Sequence, residues 1–198
     1  MTADSMPFRA TDGAAVITAS DRSAAGERED ASGSAVAERL GVLGLEVERM
    51  VVADDRGRIE ATLIAAATRH RLVVTTGGTG LTPRDVTPQA TLAVVDYEVP
   101  GLAELMRTEG RRHTPMAALS RAVVGVRGGS LIVNLPGSPK AALESLEALL
   151  PVLPHALETL AGPFDHGAAR AAGREDLPPT EPDGSEAGSA SGRDVADR

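Results

Sequence analysis

The chain has 198 residues, a formal net charge of −8 and no cysteine. This length favours one domain, the acidic balance argues against a protein that binds nucleic acid, and the lack of cysteine excludes disulfides, thiolate metal sites and cysteine nucleophiles. The N-terminus has no signal-peptide pattern and no apolar run approaches the roughly 18 residues of a membrane span. We therefore expect a cytoplasmic protein without a membrane partner.

Short apolar runs alternate with helical patterns along the first half of the chain. Residues 14–18 (AAVIT), 45–52 and 72–76 (LVVTT) have the composition of buried or half-covered strands. Apolar residues recur at helical spacing in 34–43, and again after Asp55, which is placed to cap a helix. The run at 72–76 is the best candidate for a central strand.

The second half continues this alternation. Thr87-Pro88, Thr114-Pro115 and Ser138-Pro139 each combine a capping side chain with a proline in the first helical turn, and each predicts the start of a helix. Residues 130–135 (SLIVNL) predict another strand, and a short helix at 154–160 closes the domain. Strands that alternate with helices indicate a mostly parallel sheet covered on both faces. The predicted fold is a three-layer α/β/α sandwich.

Composition divides the chain into three parts. Residues 1–12 are expected to form a flexible leader, 13–165 the folded domain and 166–198 a disordered tail. Gly, Pro, Ala, Ser and charged residues dominate the tail, so that it has too little apolar surface to offset the entropy lost on ordering. We expect the tail to be unnecessary for chemistry.

Two glycine-containing loops follow predicted strands and lead towards helices. They are TTGGTG at 75–80 and NLPGSPK at 134–140. Glycine lets backbone amides approach a phosphate closely, and a helix N-terminus adds partial positive charge. In the second loop Ser138 offers a hydroxyl and Lys140 a full positive charge. The first loop is neither a P-loop nor a dinucleotide fingerprint, but the pair favours a phosphorylated ligand over two tight connections.

Two aspartates form a second group of candidate site residues. Asp54 ends the second predicted strand, and Asp85 follows the first glycine loop. Right-handed crossovers bring strand ends to one sheet edge, where two carboxylates beside phosphate loops would hold Mg²⁺. From spacing alone, a turn or cap role is favoured for Asp54 and the role of Asp85 is open. The four histidines have no metal-ligand spacing, and Ser20-Asp21-Arg22 either binds a ligand or closes a turn.

The ordered combination of these motifs resembles the molybdenum cofactor biosynthesis family, which includes MogA, MoaB and the adenylating domains of plant Cnx and animal gephyrin. TTGGTG at 75–80 with RDVTP at 84–88 is similar to its first signature, and NLPGSPK at 134–140 to its second. Ser20-Asp21-Arg22 is similar to its opening motif. The resemblance covers residues 12–162.

The resemblance implies a molybdopterin adenylyltransferase that uses ATP and Mg²⁺, forms a homotrimer and hands its product to a molybdenum insertase. It implies that Asp54 and Asp85 are catalytic and hold the metal, with Asp55 as the alternative to Asp54 because Ala53 replaces the usual proline. The implied nucleotide- and phosphate-binding residues are Thr76, Gly77, Gly78, Thr79 and Gly80. The implied molybdopterin-binding residues are Ser20, Asp21, Arg22, Pro136, Gly137, Ser138 and Lys140.

Three other functions remain open at this stage. The first is binding of molybdopterin or a nucleotide without catalysis. The second is a regulatory nucleotide sensor. The third is hydrolysis of a nucleotide, by resemblance to the related N-terminal domain of the CinA competence-damage family. Both Asp54 and Asp85 are present, which favours an enzyme. The CinA family usually carries a second catalytic domain, for which the expected tail leaves no room.

Overall fold

The computed structural model describes Phe8 and residues 12–162. The expected leader at 1–12 and tail at 166–198 lie almost entirely outside these residues. The three-part division of the chain therefore stays a prediction. In the described part of the chain, no helix is long and apolar enough to cross a membrane.

Six strands form one sheet in the order β2-β1-β3-β6-β5-β4. They are β1 (Gly13–Ala19), β2 (Glu46–Val52), β3 (Leu72–Thr76), β4 (Tyr97–Glu98), β5 (Val124–Arg127) and β6 (Ser130–Leu135). The four predicted strands, β1, β2, β3 and β6, run parallel, and β3 is interior as expected. Strands β4 and β5, which the sequence did not predict, add an antiparallel edge.

Seven α-helices and a 3-10 helix accompany these strands in the described chain, and the last two α-helices follow β6. The α-helices are α1 (Asp21–Ala24), α2 (Ala31–Val42), α3 (Arg56–Ala67), α4 (Thr87–Val94), α5 (Pro100–His113), α6 (Pro139–Leu149) and α7 (Leu153–Leu160), and the 3-10 helix is Pro115–Leu119. Helix α2 begins three residues before the predicted start, because Asp30 caps it by accepting a hydrogen bond from the Gly33 amide.

The structure confirms most of the predicted helix caps. Asp55 accepts a hydrogen bond from the Arg58 amide at 2.9 Å, and Ser138 caps α6. Thr114 also caps, but the helix that follows it is only the short 3-10 helix. The cap predicted at Thr87 is wrong: Thr87 is the first residue of α4, which has no side-chain cap.

Alternate strand residues face two separate apolar cores. Val16 and Val74 lie in the core under α2, α5, α6 and α7, whereas Ile17 and Val73 lie in the core under α3 and α4. Strand β3 is buried on both faces, which explains its continuous apolar sequence. The predicted three-layer α/β/α sandwich is confirmed. Because four strands run parallel, the loops after them lie at one edge of the sheet.

Candidate active site

Backbone segments from three strand ends touch at the first glycine loop. A side-chain carbon on Gly77 would lie 2.4 Å from the carbonyl oxygen of Ala19, and one on Gly137 would lie 3.1 Å from the Gly77 Cα. The φ angle of Gly77 is also +92°, in the left-handed region that favours glycine. The ends of β1, β3 and β6 can approach this closely only because these positions lack side chains.

Helix α4 packs against the same loop. A side-chain carbon on Gly78 would lie 2.3 Å from the Thr87 hydroxyl and 3.5 Å from Asp54 Oδ1. The Thr87 amide donates to the Gly78 carbonyl at 3.2 Å. The Thr87 hydroxyl is fully buried and has no hydrogen-bond partner in the described residues. Because Gly78 has no side chain, the start of α4 and the Asp54 carboxylate both lie close to it.

Asp54 forms a reciprocal pair with Asp21. The Asp54 amide donates to Asp21 Oδ1 at 3.0 Å, and the Asp21 amide donates to Asp54 Oδ2 at 3.0 Å. These bonds tie the end of β2 to the start of α1. Asp55 points its carboxylate at the first turn of α3 instead. The geometry therefore places Asp54, and not Asp55, at the glycine loop.

Asp21 also binds Arg84, which was not among the predicted site residues. Arg84 Nε donates to Asp21 Oδ2 at 3.0 Å, and Nη2 contacts the same oxygen. Both side chains are exposed, at 64% for Arg84 and 45% for Asp21. Arg84 is therefore a cation at the edge of an otherwise acidic group of side chains.

Asp85 is held by the backbone around it. Its Oδ2 accepts a hydrogen bond from the Thr82 amide at 2.8 Å. Arg121 braces this segment by donating from Nε to the Gly80 carbonyl at 2.7 Å and from Nη2 to the Asp85 carbonyl. The Arg121 amide also donates to the Thr79 carbonyl. Arg121 lies 36 residues beyond Asp85, so no local pattern in the sequence pointed to it.

The two predicted catalytic carboxylates have opposite electrostatic environments. Partial burial, together with the charges of Asp21 and Asp85, raises the pKa of Asp54. Desolvation acts in the same direction on Asp85, but hydrogen bonds from Thr82 and the Gly80 amide and the charge of Arg121 outweigh it and lower the pKa of Asp85. The hydrogen bond from Arg84 lowers the pKa of Asp21. Asp54 is thus the carboxylate whose ionised form the protein stabilises less well.

Not every group of the first loop is available to a ligand. The Gly77 amide donates to the Leu135 carbonyl at 3.2 Å, and the Gly80 amide is bound to Asp85. The buried Thr76 hydroxyl contacts the hydroxyls of Thr18 and Ser32. The amides of Gly78 and Thr79 are the remaining candidates for contact with a phosphate.

The second loop lies beside the first and is more exposed. Ser138 uses its hydroxyl to cap α6, and Ser20 similarly caps α1. Lys140, the only lysine in the sequence, is 84% exposed in the first turn of α6. A polar cavity of about 140 Å³ lies between the loops, the end of β1 and residues 28–32, and Ser20, Gly77 and Gly137 contribute to its lining. Pro136 instead lines a larger apolar cavity, and Arg22 is exposed on α1.

The Asp54 and Asp85 carboxylates fit a metal ion that takes its remaining ligands from water and substrate phosphates. In residues 12–162, no three acidic or histidine side chains are arranged around a common metal position. Mg²⁺, however, commonly uses one or two protein carboxylates and completes its shell with water and substrate phosphates. Asp54 Oδ1, which faces Gly78, and Asp85 supply that donor set at the glycine loop.

Comparison with known proteins gives a consistent result. A family model described as a probable molybdopterin binding domain matches residues 15–155. A Helicobacter pylori (strain J99) protein named molybdopterin adenylyltransferase is 44% identical over 154 residues, covering 75% of this chain and 88% of that protein.

Two solved structures share both the fold and much of the sequence. The molybdopterin biosynthesis enzyme MoaB from Thermus thermophilus is 50% identical, with a TM-score of 0.70 over 78% of this chain and 99% of that chain. The molybdopterin biosynthesis Mog protein from Mycobacterium ulcerans is 43% identical, with a TM-score of 0.71 over 75% of this chain and 99% of that chain.

Proposed function

Since the chain belongs to the molybdopterin-binding family of molybdenum cofactor biosynthesis, we propose that it is a molybdopterin adenylyltransferase that uses ATP and Mg²⁺. The observation that carries this proposal is the placement of Asp54 and Asp85 at one glycine loop, in backbone contact with a second loop that carries the only lysine. Such a site has places for two phosphorylated substrates beside a pair of carboxylates.

The reaction joins two phosphates. An oxygen of the molybdopterin terminal phosphate forms a bond to the α-phosphorus of ATP. The bond from that phosphorus to the oxygen bridging to the β-phosphorus breaks, and pyrophosphate leaves with the electron pair. Adenylyl-molybdopterin is the other product. The step asks for positioning and charge stabilisation and needs no covalent bond to the protein.

The first loop would hold the nucleotide. The amides of Gly78 and Thr79 would donate to its phosphates, and the contacts of Gly77 with Ala19 fix the backbone that presents them. Asp54 and Asp85 would position the reacting phosphates and act as protein ligands of Mg²⁺. Bound Mg²⁺ would supply positive charge that offsets the charge developing on the phosphate oxygens.

The second loop and the end of β1 would hold molybdopterin. The backbone of Gly137 and the ammonium of Lys140 are suited to its phosphate, and Ser20 faces the polar cavity between the loops. Pro136, Ser138, Asp21 and Arg22 complete the proposed binding residues. Because Gly137 touches Gly77, the two phosphates would meet at the contact between the loops.

We further propose that the enzyme acts in the cytoplasm as a homotrimer and passes its product to a molybdenum insertase. The short edge strand β4 supports a subunit contact, because Tyr97 on it is 56% exposed and an edge strand offers backbone groups for pairing. Light scattering of the purified protein measures the oligomeric state. A monomeric mass would contradict the trimer.

The experiment that tests the enzyme is release of pyrophosphate from ATP and Mg²⁺ with purified molybdopterin. We expect molybdopterin-dependent release by the wild type and a loss of at least about 100-fold in Asp85→Ala and Asp54→Ala, since groups that stabilise a charged transition state have effects of this size. Asp55→Asn is the matched control, because asparagine also caps helices and Asp55 points away from the loop.

The outcomes separate the remaining functions. Molybdopterin binding without pyrophosphate release by the wild type would show a non-catalytic binding protein. Release that needs no molybdopterin would show a nucleotide hydrolase. A larger loss in Asp55→Asn than in Asp54→Ala would reverse the assignment of the two aspartates.

A further inference from the structure

Arg84 has no assigned role, although it lies beside the carboxylates of the candidate site. Its guanidinium binds Asp21 Oδ2, and the Asp21 amide in turn binds Asp54 Oδ2. The other oxygen of Asp54 faces Gly78. This chain of contacts links the Arg84 guanidinium to the loop that would hold the nucleotide phosphates.

The two arginines of the site are held very differently. Arg121 donates to two backbone carbonyls and is half-buried, so that its position is fixed by the fold. Arg84 binds one exposed carboxylate. Exposed ion pairs contribute little stability. A ligand with several anionic oxygens, which a guanidinium binds in a bidentate manner, would compete well with that single carboxylate.

The charges around Arg84 set a condition for the binding of an anionic ligand. The hydrogen bond to Asp21 and the charges of Asp21, Asp54 and Asp55 raise the pKa of Arg84. A polyphosphate repels these carboxylates unless cations lie between them. An arginine that moves from Asp21 towards the phosphates would supply one such charge from the protein itself.

We propose that Arg84 is a binding residue for the β- and γ-phosphates of the nucleotide, and that Asp21 holds its guanidinium beside the site until the nucleotide arrives. This inference rests on the proposed function. On binding, the guanidinium exchanges the Asp21 carboxylate for oxygens of the pyrophosphate group that later leaves. Asp21 keeps its second bond, from the Asp54 amide, so the loop that carries it stays in place.

A purely structural role for the Arg84–Asp21 ion pair predicts different effects of substitutions on nucleotide binding. If the Arg84–Asp21 contact only ties the 81–86 segment to α1, then loss of either partner loosens the site and weakens nucleotide binding. If Asp21 instead competes with the nucleotide for Arg84, the two substitutions have opposite effects. Asp21→Asn is suitable because the asparagine oxygen can still accept the bond from the Asp54 amide.

Calorimetric titration with Mg²⁺ and α,β-methylene-ATP, without molybdopterin, measures this. We expect Arg84→Gln to weaken binding roughly 10-fold, as loss of charged hydrogen bonds does. We expect Asp21→Asn to tighten binding about threefold, since release from an exposed ion pair gains little. In the Arg84→Gln background, Asp21→Asn should tighten binding less than it does in the wild type, because it then removes only the repulsion between Asp21 and the phosphates.

Titration with AMP is the matched control, since AMP lacks the β- and γ-phosphates. Its affinity should be the same in the wild type and in Arg84→Gln. Weaker binding of the methylene analogue in Asp21→Asn, or an equal loss of AMP affinity in Arg84→Gln, would overturn the assignment of Arg84. Wild-type protein that binds no nucleotide would overturn the proposed function as well, whereas normal wild-type binding that Arg84→Gln leaves unchanged overturns only this inference.

Discussion

Asp54 and Asp85 border the same glycine loop, but the two sides of the site that carry them are held in contrasting ways. On the Asp85 side, backbone amides and the Arg121 guanidinium form hydrogen bonds that hold the segment from Thr79 to Asp85, and the pKa of Asp85 is lowered. We call this the braced side. On the other side, Asp54 is tied to Asp21, which in turn binds the exposed Arg84, and the pKa of Asp54 is raised. We call this the exchange side.

This difference suggests a division of labour. Preorganised groups stabilise a transition state without reorganisation during the reaction. A site that must admit a charged nucleotide and release pyrophosphate also needs groups that can change partners. The braced side has the first property and the exchange side has the second.

The largest expected effect comes from the backbone contact between Gly77 and Ala19, which fixes the glycine loop between the two sides. Gly77→Ala forces a side chain against the Ala19 carbonyl at a positive φ angle, and we expect a loss of about 3 kcal/mol in the free energy of unfolding. Gly26→Ala is the matched control, since its φ is +74° but no atom lies within 4 Å of the added carbon. Its cost should be only about 1 kcal/mol, from φ alone. Equal losses in urea unfolding would mean that the Ala19 contact is unimportant.

An intermediate effect is expected when the brace itself is removed. Arg121→Met leaves the Gly80 and Asp85 carbonyls without their donor, which should cost about 1–3 kcal/mol and also lower kcat. Arg127→Met is the comparison, because Arg127 also donates to a backbone carbonyl, that of Val94, away from the glycine loops. Thermal unfolding and pyrophosphate release measure both effects. If Arg127→Met lowers kcat as much, the brace has no special role in catalysis.

The smallest expected effect is on Tm, which substitutions of the two carboxylates should shift in opposite directions. The raised pKa of Asp54 means that its ionised form destabilises the fold, so Asp54→Asn should raise Tm slightly at neutral pH. This gain should vanish as the pH falls below the ordinary aspartate pKa, where wild-type Asp54 is protonated in both states. The lowered pKa of Asp85 gives the opposite result. Asp85→Asn should lower Tm at neutral pH, and its deficit should shrink as the pH falls through the lowered pKa.

Tm measured between about pH 3 and pH 8 tests both variants together. Shifts of the same sign at neutral pH would remove the electrostatic distinction between the braced side and the exchange side. Inactive Asp54→Asn protein that is more stable than the wild type would show that this carboxylate is kept for chemistry at the expense of stability.

Local sequence predicted those parts of the fold that local forces determine. The apolar run 72–76 is a buried strand, and Asp55 and Ser138 cap the helices that follow them. Strands β4 and β5 were missed because two and four residues are too few to show a period. Thr87 was misassigned because a threonine before a proline matches a cap, whereas its hydroxyl is buried against Gly78 in the structure.

The sequence predicted which residues form the candidate site but not which side chains contact them. The glycine loops and both aspartates were identified from their motifs. The partners that set the charge of these groups are distant in sequence: Arg84 lies 63 residues from Asp21, and Arg121 lies 36 residues from Asp85. Only the folded sheet edge brings them together, so no spacing rule could have identified them.

The single lysine of this sequence has a practical consequence. Lys140 is 84% exposed at the start of α6, and the 198 residues contain no other side-chain amine. An amine-directed reagent such as an N-hydroxysuccinimide ester can therefore attach to only one side chain, at the edge of the second glycine loop, without any substitution. The rate at which an isotope-coded reagent acetylates Lys140, with and without ligand, would report on occupancy of that loop in the native protein, with labelling of the terminal amine as the internal standard.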